Sequence, residues 1–399
     1  MARLLTLDDL DRDALAGSRV LLRVDFNVPL DGERVTDDTR LREALPTLRE
    51  LADAGARLLL CSHLGRPQGA PDPRCSLRPV AHRLGELLAR PVAFADDCVG
   101  PPARRAADAL GRGGVALLEN LRFHAGETSD DDAFADALAA LADAYVNDAF
   151  GAAHRAHASV VGVPRRLARR AAGRLLVREV ETLGRLLHGA QEPFVAVVGG
   201  AKITGKIDTL DHLLGLVDAV LLGGGMANTF LAAQGRDLGG SLFEPDKVDL
   251  AGQLLEKAVA RGVRVELPSD LVVADSVAEP GAVTTVEVAS GVPGQRMALD
   301  IGNTTRSRFT TLISGAGTVF WNGPMGVFEK PPFDAGTRAV AEAVAACGGF
   351  TVIGGGETVA AVRRAGVADR IDHVSTGGGA SLELLAGMTL PGVAALEAS

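Results

Sequence analysis

Residues 194–206, with the sequence FVAVVGGAKITGK, join a run of five apolar side chains to a glycine-rich loop. The apolar run predicts a buried strand, and the glycines predict a tight turn at its end. After this turn, Ile207, Leu210, Leu213 and Leu214 recur at the spacing of an amphipathic helix. A strand, a turn and a helix in this order are the repeating unit of a parallel sheet covered by helices.

The same alternation of short apolar runs and helical periodicity recurs along most of the chain. The predicted strands are Val20–Val24, Arg57–Cys61, Val115–Leu118, Tyr145–Val146, Phe194–Val198, Ala219–Leu222, Val263–Leu267, Val319–Trp321 and Thr351–Ile353. We therefore predict an α/β fold with two doubly wound, Rossmann-like parallel-sheet domains joined by a hinge helix. The predicted segments are an N-terminal domain at 1–174, the hinge helix at 175–193, a C-terminal domain at 194–380 and a tail at 381–399.

The bulk composition excludes several classes of protein. A length of 399 residues suits two domains. The net charge of −9 argues against binding to nucleic acid or to an anionic membrane, and no apolar run is long enough to span a bilayer. The four cysteines are scattered without a C-x-x-C pair, which favours a reducing compartment. With no apolar signal segment at the N-terminus, we expect a cytoplasmic protein.

Basic side chains follow several predicted strands of the first half. Because ligands bind at the carboxyl ends of parallel strands, these groups are expected to converge on one small, highly charged acid phosphate. Asp25 and Asn27 would bind its hydroxyl group or orient the arginines. The convergent basic residues are Arg40, His63, Arg66, Arg122 and Arg155. Alternatively, each arginine is a solvated loop residue, and His154 with His157 suggests a metal pair only weakly, because a third ligand is missing nearby.

Glycine turns and lysines mark the second half as a nucleotide site. Residues 200–206 fit G-x-x-x-x-G-K, but Ile207 stands where a P-loop needs Ser or Thr for Mg²⁺. Lys202 and Lys206 still suit a triphosphate. Further glycine turns at 223–225, 354–356 and 377–379 either allow close backbone approach to a ligand or only turn the chain. The absence of G-x-G-x-x-G weakens a dinucleotide-binding dehydrogenase.

Two carboxylates in the second half have candidate ligand roles. Glu357 follows a glycine turn at the start of a predicted helix, where it would hold Mg²⁺ bridging nucleotide phosphates or only favour the helix N-terminus. Glu329 would meet ribose hydroxyls or stay solvated.

Eight stretches taken together resemble, in order, the motif series of the phosphoglycerate kinase family. The similarity runs from about Val20 to Gly392. The stretches are RVDFNVP at 23–29, SHLGRP at 62–67, ENLRF at 119–123, HRAH at 154–157, GGAK at 199–202, GGGMANTF at 223–230, WNGPMGVFE at 321–329 and STGGGAS at 375–381.

The resemblance implies a monomeric, two-lobed, hinge-bending kinase that transfers a phosphoryl group between 1,3-bisphosphoglycerate and ADP, with Mg²⁺. It also implies a tail that returns to the first domain. The implied 3-phosphoglycerate site comprises Asp25, Phe26, Asn27, Arg40, His63, Leu64, Gly65, Arg66, Arg122 and Arg155. The implied nucleotide site comprises Lys202, Lys206, Gly224, Asn322, Pro324, Glu329, Gly355, Gly356, Glu357 and Thr358. The implied catalytic groups are Arg40, Lys202, Gly356 and Gly379, and the implied metal ligand is Glu357.

The sequence departs from the family pattern in two places. Glu357 stands where the family usually has Asp, and Thr204-Gly205 replaces a more polar pair. The alternatives are a P-loop NTPase, which would hydrolyse ATP without an acid acceptor, and a non-catalytic binding protein on the same fold, in which Arg40 or Lys202 would be lost.

Overall fold

The computed structural model describes residues 3–398 and divides them into two compact units. Unit 1 comprises the chain up to Glu181 together with the segment from Thr389, and unit 2 comprises Thr182–Met388. In the described chain, no helix combines the length and the hydropathy needed to cross a membrane.

Unit 1 is built on a six-stranded parallel sheet, counted over the described residues. Its strands are β1 (Arg19–Arg23), β4 (Arg57–Cys61), β5 (Val92–Ala95), β6 (Val115–Leu118), β7 (Ala144–Asn147) and β8 (Arg170–Ala172), and a hairpin adds β2 (Leu30–Asp31) and β3 (Arg34–Val35). The helices are α1 (Arg12–Leu15), α2 (Thr39–Asp53), α3 (Arg78–Leu88), α4 (Gly100–Ala109), α5 (Ala125–Thr128) and α6 (Asp132–Ala139), and α7 (Arg174–His188) begins in unit 1 and continues past Glu181 into unit 2. The strand order is β5-β6-β4-β1-β7-β8, so the two central strands, β4 and β1, are buried on both faces and need the apolar runs that predicted them.

Helix α7 begins at a buried carboxylate. Asp148 follows β7, is fully buried, and its Oδ1 accepts from the backbone N–H groups of Leu175 (2.9 Å) and Leu176 (3.1 Å). A side chain at Gly173 would collide with Asp148. Burial raises the pKa of Asp148 to about 6, against the opposing effect of its hydrogen bonds with Thr47 and these N–H groups. The N-terminus of α7 is thus fixed to the carboxyl end of the sheet of unit 1.

Unit 2 repeats the architecture with a second parallel sheet of six strands among the described residues. In spatial order these are β11 (Arg264–Glu266), β10 (Ala219–Leu222), β9 (Phe194–Val198), β15 (Thr318–Asn322), β16 (Phe350–Gly354) and β17 (His373–Val374). The helices are α8 (Ile207–Leu213), α9 (Gly224–Ala233), α10 (Val248–Ala260), α11 (Asn303–Ser314), α12 (Ala335–Ala346), α13 (Gly356–Arg364) and α14 (Gly378–Leu385). The predicted α/β class with two parallel-sheet domains is confirmed.

A smaller antiparallel sheet in unit 2 was not predicted. It consists of β12 (Asp270–Ala274), β13 (Thr284–Glu287) and β14 (Met297–Ile301), in the order β13-β12-β14. Strand β13 is largely exposed, so it lacks the continuous apolar run that identifies a strand between two helical layers. This sheet forms one wall of the cavity described below.

The segment that joins unit 1 at the end of the chain begins at Thr389, later than the predicted tail boundary at 381. The physical reason is that α14 runs to Leu385 and packs on α8, where the hydroxyl of Thr209 donates to the carbonyl of Leu382 (3.0 Å). Beyond it, α15 (Pro391–Ala394) and the residues up to Ala398 belong to unit 1. The N–H of Leu5 donates to the carbonyl of Leu396 (3.0 Å), and Leu4 bridges Glu397 in antiparallel fashion.

Candidate active site

The predicted basic residues of unit 1 follow strands that end at one edge of its sheet. Strands β6, β4, β1 and β7 are neighbours and run parallel, so the residues after them share that edge. The loops after β1, β4 and β6 carry Asp25, His63 and Arg122, and Arg40 is the second residue of α2. The topology therefore brings the predicted groups together.

Asp25 and Arg40 form an ion pair at this edge. The distance from Arg40 Nη1 to Asp25 Oδ2 is 2.5 Å, and Asp25 is 9% exposed. Burial disfavours the carboxylate, but Arg40, His63 and Arg23 outweigh it and lower the pKa of Asp25. Arg40 is thus held at the edge with an orientation set by a charged partner.

The loops carrying Asn27, Gly65 and Arg122 are hydrogen-bonded to one another. The N–H of Gly65 donates to Asn27 Oδ1 (2.9 Å), and its carbonyl accepts from Arg122 Nη1 (2.8 Å). Burial lowers the pKa of Arg122 to about 10, helped by the charges of Arg155 and Arg23. Arg122 and Arg155 are therefore close enough to repel each other in the absence of an anion.

His63 is buried beside the same cations. Its Nδ1 lies 3.1 Å from Nη2 of Arg23, and a guanidinium can only donate, so Nδ1 is the acceptor and Nε2 carries the proton. Burial lowers the pKa of His63 well below its usual value, and Arg23, Arg122 and Arg40 lower it further against the effect of Asp25. A neutral imidazole with an Nε2–H donor suits an anionic ligand.

The remaining predicted residues of this site differ in whether the side chain or only the backbone is accessible to a ligand. Phe26 and Leu64 pack their side chains into the core, so only their backbone groups can serve a ligand. Arg66 is exposed next to Gly65, and Arg155 donates through Nε to Nε2 of His154 (3.2 Å).

Arg23 is the first residue of the motif at 23–29 but has no role in the predicted site. It is fully buried, and its Nε donates to Ser159 Oγ (3.0 Å). The hydroxyl of Ser159 in turn donates to Glu127 (2.7 Å), a fully buried carboxylate. An arginine at the end of the apolar strand β1 was the only sequence signal, since Ser159 and Glu127, which form this network with it, are more than 100 positions away in the sequence.

In unit 2 the glycine loop of residues 199–206 lies between β9 and α8, as predicted. Lys206 is half-buried, and its Nζ donates to the carbonyls of Gly199 (2.7 Å) and Asn322 (3.3 Å). Burial lowers the pKa of Lys206 to about 8, although the charge of Glu357 raises it. Lys202 is exposed on the same loop.

The glycine turns lie against one another around this loop. Gly224 has a φ of +67°, and a Cβ there would lie 2.6 Å from the carbonyl oxygen of Gly200. Gly355 has a φ of +90°, and a Cβ at Gly378 would lie 3.2 Å from its Cα. The N-termini of α13 and α14, where Gly356 and Gly379 are exposed, are therefore adjacent and present free N–H groups.

A cavity of about 220 Å³ opens beside these turns. The predicted nucleotide residues that line it are Gly224, Pro324, Glu329 and Glu357. Asn322 and Thr358 are buried instead, and Thr358 Oγ1 accepts from the N–H of Gly323 (2.6 Å), so Thr358 supports the turn from behind. Apolar side chains also line the cavity, among them Leu271, Met297, Leu299 and Phe328.

One cluster of metal-ligand types occurs among residues 3–398, at Asp97, Cys98 and His124. The hydrogen bonds within this cluster indicate that it stabilises a loop. His124 Nε2 lies 2.7 Å from Asp97 Oδ1, which also accepts a hydrogen bond from the N–H of Cys98 (2.7 Å). His154 and His157 belong to no such cluster within that range.

A cluster of arginines at the edge of one parallel sheet, and glycine turns around a cavity in a second, define an α/β phosphotransferase with an anion site and a nucleotide site. The family model described as "Phosphoglycerate kinase" matches residues 7–388. Phosphoglycerate kinases from Salinispora arenicola and Moorella thermoacetica are each 55% identical, over 399 and 392 residues, covering 98% of this chain and 99% and 98% of the relatives.

Solved structures agree with these relatives. A phosphoglycerate kinase from Coxiella burnetii superposes with a TM-score of 0.88 at 40% identity and covers 99% of both chains. One from Pyrococcus horikoshii OT3 has a TM-score of 0.86 at 32% identity and covers 98% of both. The chain belongs to the phosphoglycerate kinase family. The predicted family, the phosphotransferase activity and the glycolytic role are thereby confirmed.

Proposed function

We propose that the chain catalyses reversible phosphoryl transfer from 1,3-bisphosphoglycerate to ADP, giving 3-phosphoglycerate and ATP. The observation that carries the proposal is the buried guanidinium of Arg122. It is 7% exposed, and its Nε has no hydrogen-bond partner among residues 3–398. A buried cation beside Arg23 and Arg155 is costly unless an anion binds next to it.

In unit 1 we assign the acid phosphate to the basic edge. His63 would donate through Nε2, Asp25 would keep Arg40 oriented, and backbone groups of Phe26, Leu64 and Gly65 would line the loop. The side chains assigned to 3-phosphoglycerate are Asp25, Asn27, Arg40, His63, Arg66, Arg122 and Arg155.

In unit 2 we assign ADP or ATP to the cavity. Lys202 and Lys206 would meet the phosphates, and Glu329 would meet the ribose. The turns at Gly224 and at Gly355 would let the backbone approach the ligand closely. Pro324 lines the cavity, whereas Asn322 and Thr358 would act by holding the surrounding turns.

Mg²⁺ is expected to bind with the nucleotide. Glu357 fits this role, because its exposed carboxylate lines the cavity and Mg²⁺ needs only one or two oxygen ligands from protein beside phosphate and water. When bound, the ion would neutralise phosphate charge.

Catalysis then depends on alignment and charge. The acceptor in the reverse reaction is the carboxylate of 3-phosphoglycerate, already ionised at pH 7, so no general base is required. Arg40 and Lys202 would stabilise charge on the transferring group, and the N–H groups at Gly356 and Gly379 would add donors.

The reaction requires the two ligands to meet and water to be excluded. We therefore expect binding of both ligands to favour closure by hinge bending. We also expect a cytoplasmic monomer that binds neither nucleic acid nor membranes, in keeping with the net charge of −9.

A coupled assay with 3-phosphoglycerate and MgATP tests the proposal, and we expect ADP to form only when both are present. ATP hydrolysis that is independent of 3-phosphoglycerate would instead identify an NTPase. Ligand binding without turnover would identify a non-catalytic binding protein.

A further inference from the structure

Asp300 is a buried carboxylate in the wall of the nucleotide cavity with no role in the mechanism above. It lies on β14 of the antiparallel sheet and is 3% exposed. Burial raises the pKa of Asp300 to about 7, and the charge of Asp334 also raises it. Hydrogen bonds from the N–H groups of Gly336 and Ile301, and the charge of Arg306, lower it but do not outweigh the effect of burial. A carboxylate kept at this cost needs a structural or functional reason.

Its two oxygens join β14 to the first turn of α12. Oδ1 accepts from the N–H of Ile301 (2.8 Å), and Oδ2 accepts from the N–H of Gly336 (2.7 Å). Between β15 and α12 lies a cover segment, defined here as residues 323–334. This segment carries Phe328 and Glu329, which line the cavity. Asp300 therefore fixes the far end of the cover segment to the cavity wall.

Two further contacts hold the cover segment in the same place. The N–H of Val327 donates to the carbonyl of Leu299 (2.8 Å), and the N–H of Met325 donates to Thr337 Oγ1 (3.0 Å). A Cβ on Gly326 would lie 2.5 Å from Asp300 Oδ1. The cover segment thus lies directly against Asp300, with no space for a side chain between them.

We propose that Asp300 is a positioning residue that sets the cover segment against the apolar part of the cavity lining and so determines affinity for the nucleoside part of the nucleotide. The apolar part of the lining comprises Leu271, Met297, Leu299 and Phe328, whereas the phosphates are assigned to the glycine turns that also line the cavity. This inference rests on the proposed nucleotide site of unit 2.

The test uses Asp300→Asn in the full chain, because an amide offers one acceptor where the carboxylate offers two. One of the N–H groups of Ile301 and Gly336 then faces a donor. We expect the Kd for ADP to rise about tenfold, as for a lost buried hydrogen bond. The Kd for inorganic tripolyphosphate and kcat at saturating nucleotide should stay within about twofold. Calorimetric titration measures both Kd values without turnover.

Glu342→Gln is the matched control. Glu342 is an exposed carboxylate on the same helix, α12, outside the cover segment, so its substitution removes a charge without removing an acceptor for Ile301 or Gly336. It should bind ADP like the wild type. Thr337→Val removes only the hydroxyl that accepts the hydrogen bond from the N–H of Met325. Because this change is milder, Thr337→Val provides the test if Asp300→Asn does not fold. We expect Thr337→Val to weaken ADP binding selectively as well.

Equal losses for ADP and tripolyphosphate in Asp300→Asn would overturn the inference, since they indicate general damage to the unit. Unchanged ADP affinity in Asp300→Asn, or in Thr337→Val where Asp300→Asn does not fold, would overturn it too. A wild-type protein that does not bind ADP would refute the proposed function itself, before any variant is compared.

Discussion

At the scale of single residues, Arg40, which forms an ion pair with Asp25, is the catalytic residue that we propose for unit 1. We expect Arg40→Ala to lower kcat by about 10²–10³-fold, because it removes a cation aimed at charge that develops during transfer. The KM for ATP should change little, because Arg40 lies in unit 1. Steady-state kinetics with both substrates varied measure this.

Arg42→Ala is the control for Arg40→Ala. Arg42 lies on the same helix, α2, but pairs with Asp38 through Nε at 2.8 Å and is exposed. It should keep normal kinetics. Comparable losses in kcat and in nucleotide affinity for Arg40→Ala would contradict the assigned role.

Glu357 tests the expected metal ligand. If its carboxylate holds Mg²⁺, Glu357→Asp should preserve or raise activity, and Glu357→Ala should raise the free Mg²⁺ needed for half-maximal rate. Titration of activity with Mg²⁺ at fixed ATP measures this. Glu342→Ala, at an exposed position of α12, is a control for loss of charge. A normal Mg²⁺ titration in Glu357→Ala would place Glu357 outside the metal site.

At the scale of elements, the carboxylate that starts α7 predicts a pH dependence of stability. The ordinary pKa of Asp is 3.8 and that of folded Asp148 is about 6, so the folded state binds more protons between these values. The stability that Asp148 contributes is fully present below pH 4, and it is lost as the pH rises through 6. Relative to Asp148→Asn, the wild type should lose on the order of 2–3 kcal/mol of unfolding free energy between pH 4 and pH 7.

Denaturant unfolding of both proteins at several pH values measures this difference. The comparison with Asp148→Asn cancels the other titrating groups, including Asp25 and Glu127, whose pKa values are lowered and which act in the opposite direction. A difference that stays constant from pH 4 to pH 7 would show that Asp148 keeps an ordinary pKa in the folded protein.

Elements were predictable where one local signal determined them. Strands such as Arg57–Cys61 and Phe194–Val198 were placed to the residue because central parallel strands need unbroken apolar runs. The antiparallel sheet was missed because β13 is mostly exposed. Among the candidate site residues, Arg122 was predicted from its position after a strand and Arg40 from its position at the start of a helix, whereas Arg23 depends on Ser159, which is distant in sequence.

At the scale of the whole molecule, the proposed sites belong to separate units, so the proposed reaction would need their ligands to come together. We expect small-angle scattering to show a smaller radius of gyration with 3-phosphoglycerate and a non-hydrolysable MgATP analogue together than with either alone. The radius of gyration measured with either ligand alone is the control, because a single ligand orders only the loops of its own site. An unchanged radius with both ligands at saturation would argue against closure.

The pairing of Leu4 with Glu397 bears on how the protein is made. Unit 1 takes residues from before and after unit 2 in the sequence, so a nascent chain can complete unit 2 on the ribosome before unit 1 has its segment from Thr389. Because residues 4 and 397 are paired, a short linker between these two segments would allow circular permutation with new ends opened in an exposed loop.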